Sequence, residues 1–292
     1  MKTPSRIGLI GGASPVGRQV IRQLRDQGIS VAALSRKPRK TDDAGVRWLD
    51  LGASDYGQRL AALRGVETWI SVGPIWVLPD YFDLLAEAGA KRIVVISSTS
   101  RFTKTASTSA YEEDVVQRLV KGEQDLIDWA SLHAIDWTIV RPTLIYGRST
   151  DRNLSEIVRI IRKFTLFPLF GKAAGLRQPI YVDDVAMACV QSAFASAAFN
   201  KAYNISGAEV LSYEEMVRRI FLAMGRKPRI LRINMVLFRA GLWILQRIPR
   251  YKNWNVDMVQ RMNQDMVFDH DAASADFDFK PRKFELSDID VR

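Results

Sequence analysis

Over residues 6–205, short apolar runs rich in β-branched and aromatic side chains alternate with longer stretches in which apolar residues return every three or four positions. The short runs RIGLI (6–10), SVAAL (30–34), VRWL (46–49), TWIS (68–71), RIVVIS (92–97), WTIV (137–140) and AYNI (202–205) predict strands. The stretches between them predict helices over 15–27, 55–63, 79–88, 111–132 and 184–194. Pro79 suits a first helical turn, and Gly28 and Gly89 suit C-terminal caps. Each crossover helix returns the chain to the same end of the sheet, so strands joined this way run parallel. The expectation is an α/β chain with a doubly wound parallel sheet. After Ile205 the alternation stops, and helical periodicity dominates over 213–224 and 236–247. With residues 148–177 these stretches predict a small, mainly helical substrate domain. The expected division is 1–147 plus 178–205 for the sheet domain, and 148–177 plus 206–292 for the smaller one.

The most apolar stretch, INMVLFRAGLWILQRIP (233–249), is interrupted by Arg239. It falls short of the roughly 20 apolar residues needed to span a bilayer. Two readings stay open: a helix packed on the sheet domain as a substrate lid, or an interfacial helix making peripheral membrane contact, since Arg229, Arg232, Arg247, Arg250 and Lys252 flank it. The chain carries 42 Lys and Arg against 32 Asp and Glu, a net charge of +10 that favours anionic ligands or surfaces. The basic residues are scattered apart from Arg36, Lys37, Arg39 and Lys40 and a looser set over 226–252, and no nucleic-acid-binding motif accompanies them. Nucleic acid is therefore not an expected partner. One cysteine, Cys189 in the run VAMACV, excludes an internal disulfide framework and fits a reducing compartment. Two histidines, His133 and His270, far apart, make a metal site unexpected. The N-terminal MKTPSRIGLIGG lacks the long apolar region and cleavage site of a signal peptide, which predicts a cytoplasmic location, on the cytoplasmic membrane face if the interfacial reading holds.

The chemistry-bearing feature lies at the first strand-to-helix junction. RIGLIGGASPVGRQVIRQL places Gly11, Gly12 and Gly17 between a strand and a helix. Glycine at a strand end permits a tight turn, and a later one lets helix and strand pack closely. The helix N-terminus then offers free N–H groups and its dipole to a pyrophosphate. Ser14 stands where the dinucleotide fingerprint has its middle glycine, and its small hydroxyl can donate to phosphate. After the second strand come Ser35, Arg36 and Lys37, with Arg36 19 positions beyond Gly17. An acidic residue there would accept from a ribose 2′-hydroxyl, whereas Arg offers a fork of donors to a 2′-phosphate. The site reads as preferring NADP(H) over NAD(H). Asp50, after the third strand in WLDL, is placed to contact the adenine.

With GGASPVG, VVISSTS, WTIVRPTLIYG, QPIYVDDVA, AYNISGAEVLSYEEMVRRI and the closing FDHDAASADFDFKPRKF in this order, nearly the whole chain resembles the NAD(P)-dependent epimerase/dehydratase family, the extended and atypical short-chain dehydrogenases. The resemblance implies a Rossmann-type domain, a small C-terminal substrate domain and a site between them at the carboxyl ends of the strands. It implies cofactor contacts from Gly11, Gly12, Ser14, Pro15, Val16 and Gly17, from Ser35, Arg36 and Lys37, from Asp50, Leu51 and Gly73, and from Lys121, Pro142 and Thr143. Thr99, with Ser98 beside it, corresponds to the residue that orients a substrate carbonyl or hydroxyl, and Lys121 to the active-site lysine. The implied partner is a small-molecule substrate, a nucleotide-sugar by family analogy or something more lipophilic given FTLFPLF (164–170). Oligomeric state is not legible.

The family pattern is Tyr-x-x-x-Lys, in which one helical turn brings phenol and ammonium to one face and the positive charge lowers the Tyr pKa. Four positions before Lys121 stands Gln117, which has no proton to give. Tyr111 is ten residues from Lys121, about 15 Å along a helix at about 1.5 Å per residue, and reaches the site only from a loop. Three explanations stand open. Another group such as Tyr111, Tyr146 or Tyr181 supplies the proton, or none is needed; the protein binds NADP(H) without turnover, as a sensor or assembly subunit; or Lys121 is an ordinary surface residue.

Overall fold

The computed structural model of the chain describes residues 5–37, 45–52, 55–103, 110–148, 152–234 and 262–291. Its strands in chain order are β1 (Arg6–Ile10), β2 (Ser30–Ser35), β3 (Val46–Asp50), β4 (Thr68–Ser71), β5 (Arg92–Ile96), β6 (Asp136–Pro142), β7 (Ile145–Tyr146), β8 (Phe167–Phe170), β9 (Leu176–Arg177), β10 (Ile180–Tyr181), β11 (Lys201–Ile205), β12 (Leu211–Ser212) and β13 (Ile230–Ile233). The helices are α1 (Pro15–Asp26), α2 (Tyr56–Leu63), α3 (Phe82–Ala88), α4 (Ser100–Thr103), α5 (Ala110–Leu132), α6 (Arg152–Phe164), α7 (Val182–Phe194), α8 (Tyr213–Ala223) and α9 (Asp271–Phe277).

Seven strands form one sheet in the order β11-β6-β5-β4-β1-β2-β3, with every adjacent pair parallel. This is the Rossmann-type α/β sheet that the strand and helix periodicities predict. The chain runs outward from β1 to β3, then restarts at β4 on the other side of β1. The connections there leave to opposite faces, opening a crevice at the carboxyl ends of β1 and β4. Both faces of the sheet are covered, which is why its strands read as near-continuous apolar runs: Ile7, Leu9, Val31, Ala33 and Val94 bury against α1 and α7, while Ile10, Leu34, Trp69, Ile93 and Ile139 join the α5 side. Cys189 lies buried in the first of these layers, and burial pushes its thiol up to about 12.

Helix α1 starts where the sequence marks it. Ser14 caps it by accepting from Gly17 N at 3.0 Å, Pro15 occupies the first turn where its missing N–H costs nothing, and Val16, Val20, Ile21 and Leu24 supply the buried stripe. Gly28, at φ +72°, ends the turn after it, and Gly89, at φ +86°, does the same for α3. Pro79 departs from expectation: it sits inside a 3-10 segment, Ile75–Tyr81, and α3 begins only at Phe82. Ile75 and Leu78, three apart, both bury there, the spacing a three-residue turn puts on one face.

The described part of the smaller domain is less helical than its periodicity suggests. Beside α6 and α8, β8 pairs with β13 in parallel and β9 pairs with β12 antiparallel. Runs of two to four residues are too short to show a period of two, so pairing across the chain creates them. Helix α9 packs on β11 and α7, and the following chain returns to the sheet domain. There Asp184 accepts from Arg282 N and Nε, both at 2.9 Å, and Asp290 accepts from Arg148 N at 2.6 Å and from the Tyr181 hydroxyl at 3.2 Å. The segment expected to form the 236–247 helix lies outside the described residues. Among the described residues no helix is long and apolar enough to cross a membrane.

Candidate functional site

The glycine turn after β1 is shaped by close approach. Gly11 has φ +81°, and a Cβ on it would stand 2.7 Å from Gly73 N. A Cβ on Gly17 would stand 2.4 Å from Gly11 O and 2.6 Å from Gly12 Cα, so only glycine lets α1 lie this close to the turn. A Cβ on Gly12 would meet the Trp48 ring at 3.1 Å. At Gly73, by contrast, a Cβ would meet nothing within 4 Å: the backbone of the β4 end borders open space directly beside the turn. A narrow glycine turn, a helix N-terminus aimed at it and an open backbone flank at Gly73 fit a bound pyrophosphate. The Ser14 oxygen is occupied by Gly17 N, and its proton stays available to an anion.

The ends of β2 and β3 meet next to this turn, since Leu51 N donates to Ser35 O at 2.8 Å. Ser35 is committed to the local turn, donating to Lys37 O at 2.7 Å and accepting from Lys37 N at 3.3 Å, which turns Arg36 and Lys37 outward as exposed side chains. The Arg36 charge lies near Tyr81, whose phenol burial raises while Arg36 works against that rise. Asp50 Oδ1 accepts from Gly52 N at 2.9 Å, and Leu51 O accepts from Arg59 at 2.6 Å. The structure thus gathers Gly11 to Gly17, Ser35 to Lys37, Asp50, Leu51 and Gly73 along one edge of the crevice.

From Pro15 and Val16 a cavity of about 720 Å³ extends past Ser98, Thr99 and Thr143 into the smaller domain. The β5 and β6 ends meet there: Thr99 N and Oγ1 both donate to Pro142 O, at 3.2 and 3.1 Å. Thr143 donates its hydroxyl to Gln178 O. Ser98 Oγ accepts from Ser100 N at 3.1 Å and keeps its proton. Thr99 and Thr143 both line the cavity, and Ser98 beside them carries the freer donor.

The structure does not bring Lys121 or Tyr111 to this cavity. Lys121 stands on the outer face of α5, with its side chain 75% exposed and its Nζ 2.6 Å from Asp125 Oδ2 one turn on. Tyr111 is 71% exposed. The inward face of α5 carries Glu123 instead, 2% exposed, which accepts from Ser97 Oγ at 2.5 Å, from Arg141 Nε and Nη2 at 3.0 and 2.6 Å, and from Arg101. Burial lowers the pKa of both guanidiniums, and for Arg101 the Arg141 charge adds to it. Residues four apart share a helix face, so Leu119 and Val115 stand one and two turns from Glu123, on the side of the strands' carboxyl ends. Leu119 is buried and Val115 packs against the same apolar layer, so neither position holds an acid or a base. Lys121 is two positions from that face, about 200° around the helix at about 3.6 residues per turn. One signal for Glu123 was present in the sequence: Arg141 on a buried strand needs a carboxylate, and the preceding helix offers one.

The other tyrosines are also committed. Tyr146 donates to the carbonyls of Lys283 and Glu285 at 3.4 and 3.3 Å, and Tyr181 reaches Asp290. Burial raises both phenols, Asp290 adding to the rise at Tyr181, so neither is poised to release a proton near neutrality. Among the described residues no three His, Cys, Asp or Glu side chains gather to hold a metal ion.

Sheet order, switch point and glycine turn define a Rossmann-type dinucleotide-binding protein. A sequence model of the NAD(P)H-binding family matches residues 11–192, and the chain belongs to that family. Among curated relatives, an NAD(P)H azoreductase of Xenophilus azovorans is 24% identical over 234 residues, 78% of this chain and 77% of the relative. A mitochondrial NADH dehydrogenase [ubiquinone] 1 alpha subcomplex subunit 9 of Arabidopsis thaliana is 25% identical over 158 residues, 51% of this chain. The chain spans 39% of that subunit and 45% of a UDP-glucose 4-epimerase of Vibrio cholerae, less than half of either relative. Among solved structures, the UDP-glucose 4-epimerase of Thermotoga maritima with UDP-glucose superposes with a TM-score of 0.68 at 14% identity, covering 98% of this chain and 97% of the other. The UDP-N-acetylglucosamine 4-epimerase of Bacillus cereus gives 0.69 at 16% identity, covering 98% and 93%. At such identity the likeness speaks for the fold.

Proposed function

We propose that this protein binds NADP(H) in preference to NAD(H) and acts as an oxidoreductase on a carbonyl or hydroxyl substrate. The observation that carries the reading is one continuous cavity running from the first turn of α1, at Pro15 and Val16, to the hydroxyls of Ser98, Thr99 and Thr143. When bound, the nicotinamide supplies or takes the hydride. The Gly11 to Gly17 turn and the N-terminus of α1 hold the pyrophosphate, and Arg36 holds the 2′-phosphate. Pro142 and Thr143, fixed by their bonds to Thr99, Ile205 and Gln178, set the wall against which the nicotinamide lies. Ser98 donates its free proton to the substrate oxygen and polarises it. Val115 and Leu119 on the inward face of α5 have no proton to give towards a reduction.

That same pair of apolar residues favours a second reading, a protein that binds NADP(H) as a sensor or assembly component without turnover. Titration with NADPH and NADH by nicotinamide fluorescence tests what the two readings share: no binding of either nucleotide sinks both, and tighter binding of NADH refutes the role of Arg36. NADPH oxidation with members of a carbonyl panel, reduced by Ser98→Ala, selects the enzyme.

A further inference from the structure

The substrate end of the cavity is built for apolar contact. Ile157, Ile160, Phe167, Met216, Met262 and Met266 line it, and unbranched methionines reshape easily around ligands of different outline. Among the described residues two lining side chains carry full charges, Glu156 and Arg177, and both are already engaged. Glu156 pairs with Arg159 through two contacts, at 3.0 and 2.5 Å. Arg177, 5% exposed, donates to Leu176 O at 2.8 Å and Gln264 O at 2.7 Å, with its guanidinium 5.4 Å from the centre of the Tyr213 ring. Gln178 is likewise used, its Oε1 accepting from Phe268 N at 2.8 Å. Burial pushes the Tyr213 phenol up to about 12, so it stays a neutral wall.

A nucleoside diphosphate brings two negative charges that must exchange water for cationic or multiple N–H donors, and without them burial is prohibitive. Among the described lining residues no uncommitted cation meets that need, and Glu156 adds a charge of the wrong sign. A neutral molecule with one carbonyl has the opposite requirements: apolar surface for its body and a single donor for its oxygen, which Ser98 supplies. The volume of about 720 Å³ covers the whole cavity from Pro15 and Val16 to the methionines, so the substrate shares with the nicotinamide a space within the range of about 300–1,000 Å³ typical of ligand pockets.

We infer that the cavity takes a neutral, lipophilic carbonyl compound in preference to a nucleotide-sugar, with its oxygen at Ser98 and its body among Ile160, Phe167 and the methionines. This rests on the proposed cofactor reading only for where hydride arrives; the substrate class stands on the cavity itself. The test is displacement of Nile Red, a neutral apolar fluorophore, from the full chain, with and without saturating NADPH. Benzophenone, a neutral aromatic ketone, is expected to displace the dye at micromolar concentration, and UDP-glucose and UDP are not expected to displace it even at millimolar concentration. Ile160→Trp, which fills the cavity, is expected to weaken dye binding about tenfold, equivalent to about 1.4 kcal/mol, while NADPH affinity and the circular dichroism spectrum are kept; Ile160→Leu restores dye binding. Displacement by UDP-glucose, failure of benzophenone to compete with the wild-type chain, or unchanged dye binding in a folded Ile160→Trp overturns the inference. Loss of NADPH binding alone, with ketone competition intact, strikes the cofactor reading and leaves the substrate class standing.

Discussion

The glycine turn and the inward face of α5 border the same crevice and have opposite histories as functional surfaces. In the turn, the glycines are shaped by what must come close to them: Gly11 against Gly73, Gly17 against Gly11 and Gly12. On α5, the inward face carries Val115 and Leu119 between two buried carboxyls, Glu112 and Glu123, and that of Glu123 is spent on Ser97, Arg101 and Arg141. The contrast teaches that binding and proton-transfer machinery are separable in this fold. A backbone cradle depends on sterics over seven residues, whereas an acid-base pair depends on two side chains that a helix can replace with packing.

Removing the Glu123 carboxylate should give the largest effect. Glu123→Ala leaves two partly buried guanidiniums facing each other, and losing one partner of a buried ion pair costs about 3–5 kcal/mol; urea unfolding reads it. A loss below about 1 kcal/mol would show that the cluster is solvated and that this face of α5 is free for chemistry. Next comes the turn. Gly17→Ala puts a methyl group against backbone that cannot step aside, and NADPH affinity is expected to fall about a hundredfold, or about 2.7 kcal/mol. Wild-type affinity in that variant would remove the cradle from the comparison.

Arg36→Ala is expected to weaken NADPH about tenfold and to leave NADH unchanged, an asymmetry visible in paired titrations. The strap at Asp290 gives a pH dependence. Burial raises its pKa, but the N–H groups of Arg148 and Ser287 and the hydroxyls of Ser287 and Tyr181 outweigh burial and hold it below the usual carboxylate range. A depressed folded-state pKa gives stability that is present above the unfolded value of about 3.9 and is lost as pH falls through the folded one. Thermal midpoints measured from pH 6 downward should therefore drop more steeply below about pH 4 in the wild type than in Asp290→Asn. The smallest effect is expected from Lys121→Met, on the exposed side of α5: no change in NADPH affinity or carbonyl reduction, and at most about 0.5 kcal/mol in stability. Lost turnover with unchanged NADPH binding would return Lys121 to the site and reverse the reading of α5.

Strands and cofactor turn were legible because their signals are local. RIGLI followed by GGASPVG holds its own strand end, turn, cap and first helical turn, and Ser14 and Pro15 fall where a helix must begin. The α5 face was not legible in the same way. Over Ala110–Leu132 charged and apolar residues are mixed, and a register error of two residues exchanges Lys121 for Glu123. The side of the helix that faces inward is decided by Gly122, whose added Cβ would stand 3.0 Å from Ile75 and 3.2 Å from the Trp76 backbone N, a contact between segments 46 residues apart.

By itself the sequence determined the order of strands and helices, the parallel sheet and the glycine turn, because hydrophobic period, glycine placement and helix caps act within about one helical turn or one strand. Tertiary structure decided which face of α5 looks inward, which hydroxyl keeps a free proton, and that the charged residues lining the cavity are already paired. Those outcomes depend on partners that meet only when β5, β6, α5 and the smaller domain pack together, and no periodicity along a single chain encodes such a meeting.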